Sequence, residues 1–506
     1  MGAMSKPVEG LLWKKNPAAG GKYPLVLHAF IWYTENTAGL HGWQLSGRES
    51  IMKRVLACLA AIVLALCLVP AGYAVWELPF SVDSQAVYLF HVNTGTVVLD
   101  VNGSQRRSPA SLTKMVTALL LLESGEDLDT VVTIPEHLQA EFDFIQSENG
   151  SDADLKIGEQ ITLRNLLYGM MLPSGNDAAS VIGDYLSGGD LDAFAVQMTE
   201  YAAALGCEDT QFSCAHGLAD IEDGNWSTAR DMALILQAVS RNQTLLDVMG
   251  TAEWWMPLSN MHTEPKTYTD EETPAGMAYR VRNTNSMLVE DSTVYRSYIV
   301  AGKSGFTNQA GRCFASLSRQ GEDSWILVVM GARRELDDGV TCATRDTVAI
   351  LDWALERFAT GQAPEETGPL AEVPVLWNSE ADMVAVWPAQ TVTALLDKEQ
   401  PTEWKLTLPE QLETPLEAGQ TVGEAALYIN GDLVGTVPLE VRDTLSRNWW
   451  LHFTGTHSTG QIVLLAVAVL LAVALVAAVA ILRLRRSIRR RRRRKAAAAG
   501  RYLYRG

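Results

Sequence analysis

Apolar positions recur along the chain with more than one rhythm, and each rhythm predicts a different element. Between Val87 and Val101 two short apolar runs flank Asn93-Thr94-Gly95, which predicts a hairpin. From Ser111 to Leu122 the period becomes helical, with Leu112, Met115, Val116, Leu119 and Leu120 on one broad face. Leu163 to Leu172 predicts a second helix, with Thr162 as its N-cap and Pro173 just past its end. The chain from Asp177, Ala229 to Val239 and Arg345 to Phe358 also reads as helical. Between the last two, Tyr298–Ala301, Cys313–Leu317 and Trp325–Met330 are short, apolar and bounded by turns. Strands at both ends with helices between them predict an α+β fold, an antiparallel sheet packed with helices.

After residue 360 the pattern changes. A stretch rich in Gly, Pro, Thr and Glu reads as a linker at 361–371. Short strands then follow at Val373–Trp377, Met383–Trp387, Trp404–Leu408, Ala425–Ile429 and Val434–Leu439, with Asn430-Gly431 as a strong hairpin signal. These predict a small all-β domain at 372–444, after a catalytic-sized domain at 75–360. Residues 445–460 read as a stalk.

Three segments do not read as globular. Lys53 and Arg54, the apolar run Val55–Val69, and the small-residue ending Gly72-Tyr73-Ala74 have the order of a secretory signal peptide at 52–74, cleaved after Ala74. Residues 1–51 show no clear periodicity, and translation is expected to begin at Met52; if the extension is real, the apolar run is instead an uncleaved anchor. Ile462 to Leu482 carries no charge and is long enough to cross a bilayer, so 461–482 is expected to be a transmembrane helix. The arginine-rich tail at 483–506 should stay on the cytoplasmic side. It would act there as a topology lock and an anchor for anionic headgroups, not as a nucleic-acid patch.

That tail holds 12 of the 41 basic residues and no acid. Setting it and residues 1–74 aside leaves 22 basic and 56 acidic residues, a net charge of −34 on the part expected to be exported. Such a surface repels nucleic acid and favours a small, locally guided substrate. Cys207, Cys214, Cys313 and Cys342 lie in this part, where disulfides are permitted. Cys207 with Cys214 is one possible pair, and four free thiols is the alternative. No Cys/His spacing suggests a zinc site, and no cofactor is expected.

Three short motifs carry the chemistry. Ser111-Leu112-Thr113-Lys114 places a hydroxyl and an amine one helical turn apart. A serine becomes a nucleophile when a neighbouring base takes its proton, and lysine is such a base only if burial or a nearby cation lowers its pKa. Ser174-Gly175-Asn176 lies between two predicted helices and offers a second hydroxyl and an amide. Lys303-Ser304-Gly305 ends a predicted strand, where a cation and a hydroxyl can hold a carboxylate. Each alone is better explained as a cap, a turn or a strand end. Together, in this order and on these elements, they form the triple shared by penicillin-binding proteins and class A β-lactamases.

The surrounding residues narrow the match. Ser108-Pro109-Ala110-Ser111-Leu112-Thr113-Lys114-Met115, Leu172-Pro173-Ser174-Gly175-Asn176-Asp177 and Gly302-Lys303-Ser304-Gly305-Phe306-Thr307 resemble the motif segments of low-molecular-mass penicillin-binding proteins. His216-Gly217-Leu218 and Asn283-Thr284-Asn285 are similar to the D-alanyl-D-alanine carboxypeptidase branch. The resemblance runs from about Val82 to Phe358, and the β-rich segment to about Val441 resembles the family's C-terminal domain. It implies a β-lactamase/transpeptidase-like fold and a serine carboxypeptidase that removes the terminal D-alanine from peptidoglycan stems and is inhibited by penicillin. It also implies roles. Ser111 is the nucleophile and Lys114 the base, while Ser174 and Asn176 assist proton transfer and positioning. Lys303 and Ser304 hold the terminal carboxylate, Gly305 lets the ligand lie close, and the N–H groups of Ser111 and Phe306 form the oxyanion hole. Two departures stand out: Ser304 replaces the usual threonine, and none of Arg333, Arg334 and Arg345 aligns cleanly with the arginine that relatives often use on the carboxylate. A penicillin sensor without turnover, a D-alanyl endopeptidase and a β-lactamase-like hydrolase are the alternatives. Gly175 and the C-terminal architecture disfavour the last. The expected partners are the stem peptide, β-lactams and the membrane, with the catalytic part on the cell-wall side.

Overall fold

The computed structural model describes residues 76–333, 336–337, 340–364 and 368–502. The signal-like segment 52–74, the residues before it and Arg334 lie outside the described residues. The predicted hairpin is present as β1 (Ala86–His91) and β2 (Thr96–Val101). It joins β3 (Ile299–Thr307), β4 (Gly311–Gln320) and β5 (Asp323–Ala332) in one sheet of order β2-β1-β5-β4-β3, all antiparallel. The last three strands outrun the apolar cores that mark them in the sequence, because their polar ends remain hydrogen-bonded into the ladder.

Strand alternation buries both faces of this sheet. Ala86, Tyr88, Ile326 and Val328 point into one core; Val87, Leu89, Trp325 and Leu327 point into the other. The first core is closed by α1 (Lys114–Glu123), α2 (Leu163–Met171), α3 (Asn176–Ser187) and α4 (Ala229–Val239). The second is closed by α5 (Cys342–Arg357). The antiparallel sheet packed with helices is therefore a three-layer arrangement. Thr162 caps α2 as its position predicts, its hydroxyl accepting from the Asn165 N–H, and Thr228 and Thr341 cap α4 and α5 in the same way.

The C-terminal strands are β6 (Phe358–Ala363), β7 (Ala371–Leu376), β8 (Met383–Pro388), β9 (Val392–Asp397), β10 (Glu403–Thr407), β11 (Leu412–Glu413), β12 (Thr421–Ile429) and β13 (Asp432–Val441). Six of them form a sheet of order β10-β12-β13-β8-β7-β11, and β6 pairs with β9. Asn430 and Gly431 join β12 to β13 with φ of 51° and 85°, the left-handed pair that a tight hairpin turn requires.

Two expectations need correction, and one open choice is decided. The stretch read as a linker at 361–371 begins inside β6. Phe358 and Ala363 are buried and the strand pairs with β9 residue for residue, so its glycine and small side chains mark close packing. The stalk at 445–460 contains a helix, Trp449–Thr456, capped by the Asn448 side chain. Among the described residues Cys207, Cys214, Cys313 and Cys342 form no disulfide, which decides between the two possibilities left open above. The Cys207 thiol donates to the Asp231 carbonyl, while the Cys214 sulfur accepts from the Gly217 N–H, so the two point to different partners.

The catalytic and β-rich parts are welded together. Leu395, Leu427 and Ile429 join the core beneath Trp325 and α5. Asp397 is buried there and accepts two hydrogen bonds from Arg357 (3.0 and 2.8 Å) and one from Trp76 Nε1 (2.8 Å). Burial works against the Asp397 carboxylate, but Arg357, the Glu399 N–H and Trp76 outweigh it and hold its pKa below the ordinary range. Removing one partner of such a pair strands the other. Asp397→Ala should lower the unfolding free energy of a fragment spanning residues 75–460 by about 3 kcal/mol, read by urea denaturation. A loss under about 0.5 kcal/mol would show that this joint is not a clamp.

Candidate active site

The nucleophile turn is built under compression. Ala110 to Thr113 form a single 3-10 turn ahead of α1, and Ala110 is held at φ 48°, a costly conformation for a residue with a Cβ. Two glycines make it fit. A Cβ on Gly217 would lie 2.0 Å from the Ala110 carbonyl oxygen, and one on Gly305 would lie 3.1 Å from the Ser111 nitrogen. The 216–218 loop thus presses on the back of the turn and β3 passes across its front. Ser111 is left at the floor of a cleft of about 320 Å³ that is also lined by Ser174, Asn176, Thr284, Ser304, Phe306 and Arg312.

Lys114 is fully buried, and its Nζ has three oxygen neighbours: Ser111 Oγ at 2.9 Å, Asn176 Oδ1 at 2.6 Å and the His216 carbonyl at 2.8 Å. Burial, then the charge of Lys303, pushes its pKa well below the usual lysine value; Cys214 and Asp177 oppose this. A neutral amine has two N–H donors and one lone pair. Asn176 and His216 offer only acceptors, so they take the two donors. The lone pair is then directed at Ser111, whose hydroxyl becomes the donor.

The second and third motifs meet across the cleft. Ser174 is held at φ 69°, and its Oγ accepts from Lys303 Nζ at 2.9 Å. Lys303 also donates to the Ser304 carbonyl at 3.1 Å, and its pKa is pushed down to about 7 by burial. Ser304 Oγ faces Thr284 Oγ1 at 2.7 Å. Glycine is obligatory between Ser174 and Asn176: a Cβ on Gly175 would sit 2.6 Å from the Gly169 carbonyl oxygen and 2.7 Å from the Asp177 carboxylate. An aspartate in the middle of this motif, as β-lactamases usually have, would not fit this backbone.

All eight residues singled out from the sequence, Ser111, Lys114, Ser174, Asn176, Lys303, Ser304, Gly305 and Phe306, therefore lie at or around one cleft. Of the arginines, Arg333 pairs with Asp83, and Arg345 lies against Cys342 without lining the cleft. Several supports escaped sequence reasoning. His216 Nε2 bonds to Glu141 Oε1 at 2.9 Å while Nδ1 accepts the Leu218 N–H, which fixes the carbonyl that holds Lys114. Asp177 accepts the N–H groups of Ala153, Leu155 and Ala178 and ties the 150–155 loop to α3; burial raises its pKa to about 6. The signal for His216 was present in His216-Gly217-Leu218, but nothing near Glu141 pointed to its partner.

The pKa pattern sets a pH dependence. Only the neutral Lys114 can accept the Ser111 proton, so acylation of Ser111 should rise with pH and level off well below the ordinary lysine range. Lys303→Gln removes the cation that is the second cause of the shift and should move this rising limb to higher pH, as seen in stopped-flow acylation. An unmoved limb would mean that burial alone sets the lysine. Lys114→Ala should slow acylation roughly 10²- to 10⁴-fold.

Comparison with known proteins agrees with this geometry. Residues 74–334 match the D-alanyl-D-alanine carboxypeptidase family, and residues 369–447 match the penicillin-binding protein 5 C-terminal domain. The D-alanyl-D-alanine carboxypeptidase DacF of Bacillus subtilis is 23% identical over 414 residues, covering 79% of this chain and 97% of the relative. The D-alanyl-D-alanine carboxypeptidase DacA of Escherichia coli is 28% identical over 369 residues, covering 71% and 83%. Among solved structures, the D-alanyl-D-alanine carboxypeptidase DacD of Francisella tularensis has the same fold, with a TM-score of 0.54 at 22% identity over 76% of this chain and 98% of that one. The two matched segments account for most of the described residues, and the cleft they enclose is built from the family's three motifs: the chain belongs to the D-alanyl-D-alanine carboxypeptidase family of low-molecular-mass penicillin-binding proteins.

Proposed function

We propose that this chain is a membrane-anchored serine carboxypeptidase that removes the terminal D-alanine from peptidoglycan stem pentapeptides. The observation that carries the reading is the buried Lys114 amine, 2.9 Å from Ser111 Oγ with both of its other neighbours acceptors. The chemistry follows in two halves. Ser111 Oγ attacks the carbonyl of the penultimate D-alanine as its proton passes to Lys114. The oxyanion forms against the Ser111 and Phe306 N–H groups, the stretch that the absent Cβ of Gly305 keeps open. The C–N bond then breaks, and the departing amine takes a proton relayed through Ser174, which Lys303 touches. Water, deprotonated by Lys114, attacks the ester and frees Ser111. Penicillin enters by the same attack, but its leaving group stays tethered and obstructs the second half.

The anchor is the C-terminal helix Thr459–Tyr502, whose Thr459–Arg494 portion is long and apolar enough to span a bilayer. The arginines past Leu482 support a cytoplasmic C-terminus, with the catalytic part on the wall side. Trp449 and Trp450, 73% and 67% exposed, stand just ahead of the span, where interfacial aromatic residues usually sit. The domain division at 75–360 and 372–444 fits this reading as one working unit on a tether.

The test is release of D-alanine from a pentapeptide ending in D-Ala-D-Ala by the ectodomain Val75–Gly460, beside Ser111→Ala. Release that disappears in the variant supports the reading. Acylation by penicillin at Ser111 without any release would replace it with a sensor or an endopeptidase.

A further inference from the structure

The proposed reaction fixes the direction in which a stem lies. Its terminal carboxylate goes to Lys303 and Ser304, and its scissile carbonyl oxygen to the Ser111 and Phe306 N–H groups. The residues upstream of the scissile bond therefore run past Phe306, toward the part of the cleft lined by Thr307, Asn308, Leu218, Asp220 and Glu148. Two carboxylates stand there. The Asp220 carboxylate is already engaged: it accepts from Thr307 Oγ1 at 3.0 Å and from the Asp223 N–H. The Glu148 carboxylate is exposed and has no hydrogen-bond or ion-pair partner among the described residues.

Glu148 is also placed against the local electrostatic rule. It is the C-cap of the helix Gln139–Ser147, where the negative end of the peptide dipoles favours a cation. No basic residue stands in the last turn of that helix. The placement is rigid all the same. The Glu148, Asn149 and Gly150 N–H groups donate to the Phe144, Gln146 and Ile145 carbonyls, with Asn149 at φ 53°. A Cβ on Gly150 would lie 2.7 Å from Asn176 Nδ2 and 2.9 Å from Leu218 Cδ1, so this turn is packed on the second motif and on Leu218. At the other end of the helix, Glu141 holds His216 at 2.9 Å. Glu148 thus sits on an element clamped at both ends to the catalytic residues, costs its own helix stability and lacks a partner. Such a carboxylate is complementary to a cation that arrives with the substrate.

We propose that Glu148 is a specificity-determining residue of this enzyme: it takes the side-chain ammonium of the residue that precedes the two D-alanines, and so favours stems whose amine is still free over stems in which cross-linking has acylated it. The inference rests on the carboxypeptidase reading above and names the form of stem on which that site acts. The side-chain amine of a diamino residue is charged at neutral pH and forms a charge-assisted hydrogen bond with a carboxylate. Acylation turns the ammonium into a neutral amide, which leaves the Glu148 carboxylate without a counter-charge beside the helix end. Glu148 meets the stem upstream of the scissile bond, so its effect falls on binding and not on the chemical step.

The experiment uses the full-length protein in detergent micelles, as wild type, Glu148→Gln and Glu148→Lys. D-alanine release is measured on two pentapeptides that carry lysine before the D-Ala-D-Ala end, one with its Nε amine free and one with it acetylated. The wild type should prefer the free amine roughly 3- to 10-fold in kcat/KM, mostly through KM. Glu148→Gln should bring that ratio close to unity, and Glu148→Lys should reverse it. Raising the ionic strength from about 0.02 to about 0.5 M should erode the wild-type preference and leave the ratio of Glu148→Gln where it was. A wild type without preference, or a preference that survives in Glu148→Gln, would overturn the proposal, whether or not overall rates fell, because a merely structural glutamate slows both peptides alike. Protection of Ser111 from a fluorescent penicillin by each peptide separates this idea from the reading it rests on. Better protection by the free-amine peptide, without D-alanine release from either, sinks the carboxypeptidase reading and still supports the role of Glu148. Release at equal kcat/KM from both peptides does the opposite, and neither release nor protection removes both.

Discussion

The burial of one lysine is the constraint on which the rest of the site depends. An amine at 0% exposure is costly as an ammonium, and the fold makes it costlier by burying Lys303 nearby. The neutral form is tolerable only if its two N–H groups find acceptors, because an unsatisfied donor at that depth would forfeit what neutrality gains. Asn176 and the His216 carbonyl are those acceptors, and each is held by something else. Asn176 opens α3, whose first turn is pinned by the buried Asp177; His216 is fixed through Glu141 and the Leu218 N–H. The strained backbone at Ala110 and Ser174 belongs to the same account. Both residues hold left-handed angles because the packed glycines at 175, 217 and 305 leave no room for an alternative path.

Much of this was legible in the sequence, and for a definite reason. Ser111 and Lys114 are three residues apart on a helical turn, so their contact is local and the spacing alone implies it. Thr162 before an amphipathic run and Asn430-Gly431 between apolar runs are equally local signals, and both are realised with the expected geometry. What escaped depends on chain segments that meet only after folding. Glu141 reaches His216 across 75 residues. Arg312 faces the cleft because of its register opposite Phe306, and register is not written in the composition of either strand. The strand β6 was read as linker because Gly361 and its small neighbours resemble loop chemistry. In place, a Cβ on Gly361 would lie 2.4 Å from Leu396, so the glycine permits close strand contact and does not signal a bend.

The β-rich part illustrates the same limit at larger scale. Its change of pattern suggested a separate domain, and it does have a core of its own around Val386, Val437 and Leu439. Yet Leu395, Leu427 and Ile429 face the other way and complete the core under the catalytic sheet, with the Arg357–Asp397–Trp76 cluster at the seam. A hydrophobic pattern says that a strand has a buried face; it does not say whose core the face enters. The consequence is mechanical. A part that shares a core with the catalytic sheet transmits the position of the membrane tether to the cleft far more stiffly than a bead on a flexible linker would.

That stiffness matters because the groups of the site act on one another over hydrogen-bond distances. Residues 75–482 carry a net charge of −34, so an acidic ligand meets repulsion over most of that surface and depends on the few buried cations. Lys303 is one of them: it is buried, it donates to Ser174 Oγ and the Ser304 carbonyl, and burial pushes its pKa down to about 7. Its charge is also the second cause that holds Lys114 below the ordinary lysine range. A change in the burial of Lys303 therefore reaches the base as well as the second motif, and a fold that fixes the strand bearing it relative to the nucleophile turn fixes both at once.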